Sequence, residues 1–150
     1  MTQEDKELLL KDLSARLPYG LKGTVEIEVS TGEYSIESGH LLFMEKEIDV
    51  ELLGINKESE DIEVYPLNNN IDLDGYDYTI VDFIPYLRPM SSMTEEEKMI
   101  QRSKMRYEGY FVNHVYYHTL EEFDYLNSIH VDYRGLIPKG LALEAPEGMY

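Results

Sequence analysis

The chain contains no cysteine and no tryptophan, and only four phenylalanines among 150 residues. Without cysteine there is no disulfide framework, no thiolate metal site and no cysteine nucleophile. No apolar run approaches the roughly 18 residues of a membrane-spanning helix. The opening Thr2-Gln3-Glu4-Asp5 lacks the basic flank and apolar stretch of a signal peptide, which makes the cytoplasm the expected location. Basic side chains are scarce as well, 13 against 30 acidic ones, for a net charge of −17. A surface of that sign repels phosphate backbones and anionic lipid headgroups, so neither direct nucleic-acid binding nor membrane attachment is expected. Phosphate-cradling glycine loops, the G-x-S-x-G nucleophile elbow and the H-E-x-x-H zinc motif are all missing, which removes the commonest motif-readable enzymes. The sequence names no cofactor.

What is present is the composition of a folded globule, 43% apolar and 29% charged. A chain of this length can bury roughly 70% of its extended surface, enough for a real core, and a single domain over residues 1–150 is expected. The acidity is concentrated. Residues 1–23 carry four basic and four acidic groups, residues 24–90 three and sixteen, and residues 91–150 six and ten. The middle segment therefore holds about three quarters of the net charge.

Periodicity points to an α+β fold: an N-terminal helix, a small acidic antiparallel sheet or partial barrel of five to six strands, then two short helices and an aromatic strand. Residues 2–17 form the first helix, with Thr2 as N-cap, Asp5 three residues on, and Leu9, Leu13 and Leu17 at i+4 spacing beside Leu10. From Gly23 the period becomes two, and Val25, Ile27 and Val29 alternate with Glu26, Glu28 and Ser30. Thr31-Gly32 is the expected hairpin turn into a strand at Tyr34 and Ile36, with further strands at Leu41–Met44, Ile48–Leu53, Ile62–Leu67 and Tyr78–Phe83. Thr94 and Glu97 make a capping box for a helix over 95–106 with Met99 and Ile100 as its thin apolar face. Tyr110–Tyr117 is the aromatic strand, with Phe111, Val115 and Tyr117 turned to the core and Tyr110 and Tyr116 to an exposed face. Thr119 and Glu122 repeat the capping box, opening a helix in which Leu120, Phe123 and Leu126 point inward.

Three blocks carry a resemblance: Leu17-Pro18-Tyr19-Gly20, the stretch from Pro85-Tyr86-Leu87-Arg88-Pro89 to Glu97, and Asp132-Tyr133-Arg134-Gly135 running on to Pro146. Together they resemble small uncharacterised proteins of Bacteroides-type gut bacteria and their phages or mobile elements. The resemblance implies a bacterial or phage cytoplasm and brings no activity, cofactor or catalytic residue.

The chemistry-bearing candidates are few. Glu26, Glu28, Asp49, Glu51 and Glu63 alternate with apolar residues and form an acidic sheet face suited to a basic protein surface. Tyr110 and Tyr116 add amphipathic contact area. Arg88 and Arg134 each stand beside a tyrosine and a turn residue, where a guanidinium is expected to tie loop carbonyls or carboxylates, with ligand binding as the alternative. His114 and His118 share a face only on a helix; on a strand they lie roughly 13 Å apart, too far for one zinc. Asn70-Ile71-Asp72-Leu73-Asp74-Gly75 matches the start of a calcium loop but has Val81 where the bidentate glutamate belongs. Asp72, Asp74 and Asp77 are thus weak metal candidates beside a plain Asp-Gly turn. The expected function is a non-catalytic protein-binding module using the acidic and tyrosine-rich surfaces. The alternatives are an acidic nucleic-acid mimic that inhibits a DNA-binding enzyme, and a small enzyme or metal protein using His114, His118 or His130, with Glu121, Glu122 or Asp132 near His118.

Overall fold

A computed structural model describes residues 1–68, 71, 73, 76–110 and 113–150, with backbone only for Gly109, Tyr110, Asn113 and His114. In chain order the elements are α1 (Gln3–Arg16), β1 (Lys22–Tyr34), β2 (Leu41–Ile55), β3 (Asp61–Pro66), β4 (Tyr78–Thr79), β5 (Ile84–Leu87), α2 (Glu95–Lys104), β6 (Arg106–Tyr110), β7 (Asn113–Tyr117), α3 (Leu120–Ser128) and β8 (Leu143–Glu144). Short 3-10 turns at Leu17–Tyr19 and Met90–Ser92 complete them. The fold is α+β. The chain forms two compact units, one built from Met1–Leu21 and Pro85–Tyr150 and the other from Lys22–Ile84.

The Lys22–Ile84 unit is an antiparallel sheet in the order β4-β3-β2-β1. Val25, Ile27, Ile48, Val50, Leu52 and Ile62 are buried by the period-two alternation, together with Tyr78, Ile80 and Phe83 from the end of the segment. Gly23 is required where it stands, because a Cβ there would lie 2.5 Å from the Phe83 ring and 2.6 Å from the Ile84 carbonyl oxygen. Thr31-Gly32 is not the hairpin turn. Gly32, at φ +76°, absorbs a register shift between Ser30 and Tyr34, and β1 continues through it. The chain turns instead at residues 35–40, closed by the Ser35 amide donating to the His40 carbonyl and the Gly39 amide donating to Ser35. Leu41–Met44 and Ile48–Leu53 are likewise one strand of 15 residues, since nothing between them breaks the alternation. The expected strand at Tyr78–Phe83 keeps only its first two residues, after which the Asp82 carboxylate takes the Thr79 amide at 2.8 Å and turns the chain.

In the other unit, α1 starts where expected: Thr2 accepts the Asp5 amide and the Asp5 side chain returns the bond, a complete capping box. Its buried stripe is Leu9, Asp12, Leu13 and Arg16, the i, i+3, i+4, i+7 pattern of a core-facing helix with two charges in it. Arg16 and Asp12 are both wholly buried. The Arg16 Nε donates to Asp12 at 2.7 Å and its Nη2 donates to the Val131 carbonyl at 2.9 Å. Arg134 donates to the same carboxylate at 2.8 Å, and both guanidiniums stand over the Tyr133 ring, at 5.6 and 4.7 Å from its centre. Met93, Leu126 and Val131 make an apolar cluster with Phe123, Ile129 and Tyr133 against it. β5 pairs with β8 in parallel.

Several expectations for the second half fail on local geometry. The helix over 95–106 ends at Lys104, and Met99 and Ile100 are 63% and 37% exposed, so they form no buried face. In place of a single strand over 110–117 there are two, β6 ending at Tyr110 and β7 beginning at Asn113, which pair antiparallel with Tyr107 opposite Tyr116. Val115 and Tyr117 are 41% and 49% exposed, not core, because the side chains described on this two-stranded ribbon all remain open to solvent. Phe111 lies outside the described residues. Leu120, at the first position of α3, is 87% exposed, and the residues α3 buries are Glu122, Leu126 and Asn127. Thr119 caps the Glu122 amide, but the Glu122 carboxylate goes instead to the Gln101 amide at 2.7 Å and to His118 Nδ1 at 2.8 Å.

The buried cluster gives a sharp test. Asp12→Ala strands a buried guanidinium and is expected to cost about 3–5 kcal/mol in urea unfolding, whereas Lys98→Ala should stay within about 0.5 kcal/mol because its pair with Glu95 is exposed. Similar small losses for both would show that the buried cluster does not hold this unit together.

Candidate functional site

The register of β1 against β2 decides which acids share a face. Lys22 stands opposite Glu51, Thr24 opposite Asp49, Glu26 opposite Glu47 and Glu28 opposite Glu45. The intervening pairs, Val25 with Ile48 and Ile27 with Lys46, belong to the other face. On β3, Tyr65 stands opposite Glu51, which places Tyr65 and Glu63 on the acidic side as well. The five acids expected on one face, Glu26, Glu28, Asp49, Glu51 and Glu63, therefore alternate onto it together. At one end the cation of Lys22 stands across from Glu51. Farther along, two glutamates face two glutamates, and like charges directly opposite one another weaken a strand pair. Among the described residues none of Glu26, Glu28, Glu45 and Glu47 has an ion-pair partner.

Over this end of the face lies a cleft of about 570 Å³. Its carboxylates are Glu26, Glu28, Glu45, Glu47, Asp77 and Asp82, and its aromatic wall is Tyr76 and Tyr78. The two rings stack with centres 5.9 Å apart and planes within 8°. Tyr76 is fixed by its hydroxyl, which donates to the Glu28 carbonyl at 2.7 Å. Tyr78 is only 7% exposed and its hydroxyl has no hydrogen-bond partner. Burial, with Tyr76 and Asp82 beside it, pushes the Tyr78 phenol above its ordinary pKa. A side-chain hydrogen bond with Glu45, then the charges of Glu45 and Glu47, hold the Glu26 carboxyl above the usual carboxylate value. The arrangement offers dense negative charge, acceptor oxygens and an aromatic surface, the chemistry that receives an ammonium or guanidinium group.

The other sequence candidates lie elsewhere. Of the five expected acids only Glu26 and Glu28 line the cleft; Glu45, Glu47, Asp82 and the two tyrosines were not among the candidates. Asp77 is in the cleft wall, while Asn70, Asp72, Asp74 and Gly75 lie outside the described residues. Tyr116 is 53% exposed, its ring 5.3 Å from that of Tyr107; of Tyr110 and His114 only the backbone is described. Arg88 is held in a two-pronged pair with Glu97 at 2.8 and 3.0 Å, and Arg134 in the buried cluster with Asp12. His118 is 65% exposed and bonded to Glu122, and His130 is buried, donating from Nε2 to the Tyr19 carbonyl and stacked on Tyr150. No group of three metal-ligating side chains occurs among the described residues.

Two predictions follow from these charges. Arg88 holds the Glu97 carboxyl down to about 2, so the pair stabilises the fold above the ordinary glutamate range and that contribution, up to about 3 kcal/mol, fades as pH falls from roughly 5 to 2. Urea unfolding against pH should show this loss, and Glu97→Gln should flatten it; an unchanged profile would refute the assignment. The raised Glu26 carboxyl works in the opposite sense, since its ionisation opposes folding above its folded pKa and the penalty disappears on protonation. Glu45→Gln should therefore raise the melting temperature at neutral pH, by less as salt is added. A lower melting temperature at every salt concentration would show that the glutamates support one another.

No protein-family model matches this chain, and no curated protein or solved structure matches it either. The cleft is thus to be read from its own chemistry.

Proposed function

We propose that this chain is a non-catalytic module that binds a protein partner through lysines or arginines seated in the acidic cleft of β1 and β2. The observation that carries this reading is the direct opposition of Glu26 to Glu47 and of Glu28 to Glu45, with no ion-pair partner for any of the four among the described residues. Solubility alone does not call for opposed carboxylates, because acids scattered over the surface disperse a protein without weakening a strand pair. A bound ammonium or guanidinium relieves that repulsion, and the stacked tyrosines offer it a face.

Titration with a lysine- and arginine-rich peptide tests the proposal. Affinity is expected to fall about tenfold or more between about 50 and 300 mM salt, and to fall comparably at low salt in a Glu28→Gln/Glu47→Gln variant. Salt-independent binding, or full binding by that variant, would overturn it. In a pulldown, release of the partner by duplex DNA would identify that partner as a DNA-binding protein and the cleft as an imitation of its usual ligand.

A further inference from the structure

Among the described residues, the side of β2 away from β1 is unclaimed along its first half. β3 reaches it only from Val50 to Ile55, and the Leu67 amide donates to the Asp49 carbonyl just beyond. Before Asp49, no described strand pairs with β2 on the side away from β1. That stretch carries three consecutive apolar residues in the open, Leu42 at 41%, Phe43 at 58% and Met44 at 55% exposed. Exposed apolar runs of this kind invite aggregation unless something covers them, and a free edge carries unpaired amide and carbonyl groups that template another strand. Lys46 is the one charge here that blunts the edge on the face away from the cleft.

The alternation of β2 states what such a strand would look like. Glu45 and Glu47 point to the cleft face, and Leu42 and Met44 to the opposite one. A neighbouring strand places its side chains about 5 Å from these, alternately on the two faces. A second copy of this chain is a poor occupant, since it would bring a net charge of −17 against an identical −17. Charge complementarity selects a different chain.

We infer that residues 41–48 of β2 receive an extended segment of the protein partner as an added strand, its lysines or arginines facing Glu45 and Glu47 and its alternate apolar residues facing Leu42 and Met44. The inference rests on the proposed function and adds the mode of recognition: main-chain hydrogen bonds for affinity, alternate side chains for specificity. It also explains why the cleft and the exposed apolar stretch occupy one pair of strands, Glu28 with Glu45 being followed directly by Val29 with Met44.

The test compares three peptides of about eight residues, long enough to cover the free edge. One alternates lysine and valine, one is the same with alternate amides N-methylated on the edge-facing side, and one is lysine with serine in place of valine. The alternating peptide should bind at least about tenfold more tightly than either control, the loss expected for one or two good hydrogen bonds or buried valines. It should also slow hydrogen exchange at those amides of residues 41–47 that face away from β1. Equal binding by the N-methylated peptide, or protection confined to other residues, would overturn the added strand and leave the charged cleft standing. Failure of all three at low salt would overturn both. Concentration-dependent dimerisation lost in a Phe43→Ser/Met44→Ser variant would assign the edge to a second copy and overturn the inference.

Discussion

The Asp12 carboxylate, buried between two guanidiniums, is the interaction on which the Met1–Leu21 and Pro85–Tyr150 unit depends. Arg16 reaches it from one turn along α1, and Arg134 reaches it from the far end of the chain. Burying charge is costly, and one carboxylate between two arginines leaves an excess of positive charge that Tyr133 and the Val131 carbonyl must accommodate. Such a cluster adds little net stability over apolar packing, but it tolerates only one arrangement. α1 cannot rotate or slide without separating Arg16 and Asp12 from Val131 and Arg134. The cluster therefore fixes register more than it adds strength.

The sheet unit handles charge in the reverse manner. Its core is apolar and its acids are spread along one exposed face, balanced near Lys22 and unbalanced toward Glu28. The two units thus divide the chemistry: one encloses Asp12, Arg16 and Arg134 in a bonded cluster, the other leaves its carboxylates open and opposed to one another. This is why Arg88 and Arg134, each already bonded to a carboxylate, belong to the structure, and why the glutamates of β1 and β2 are the better candidates for recognition.

Much of this was legible in the sequence, for reasons that can be named. Capping boxes at Thr2 and Thr94 and the alternation of Glu26 and Glu28 with valine and isoleucine are local signals, and they place α1, α2 and β1 to within two residues at their starts. The α+β class follows from them. The buried Asp12 and Arg16 were not legible, because a helix whose inward stripe contains an aspartate and an arginine does not show a clean hydrophobic period. Glycine misled at Gly32, where a positive φ serves a bulge and not a turn. The cleft was half visible. Glu45 and Glu47 were hidden by reading Leu41–Met44 and Ile48–Leu53 as separate strands, although no turn residue lies between Met44 and Ile48. Tyr76 and Tyr78 reach the cleft through tertiary folding, which no local pattern announces.

The same division bears on the order in which the molecule can form during synthesis. Lys22–Ile84 is one continuous stretch, so the sheet unit has all its residues once the ribosome has passed them. The first-made helix is in a different position. Asp12 and Arg16 emerge early, but Arg134 and Val131 follow more than a hundred residues later, roughly 6–25 s at ordinary elongation rates. Until then α1, though made before the sheet unit, has no final resting place.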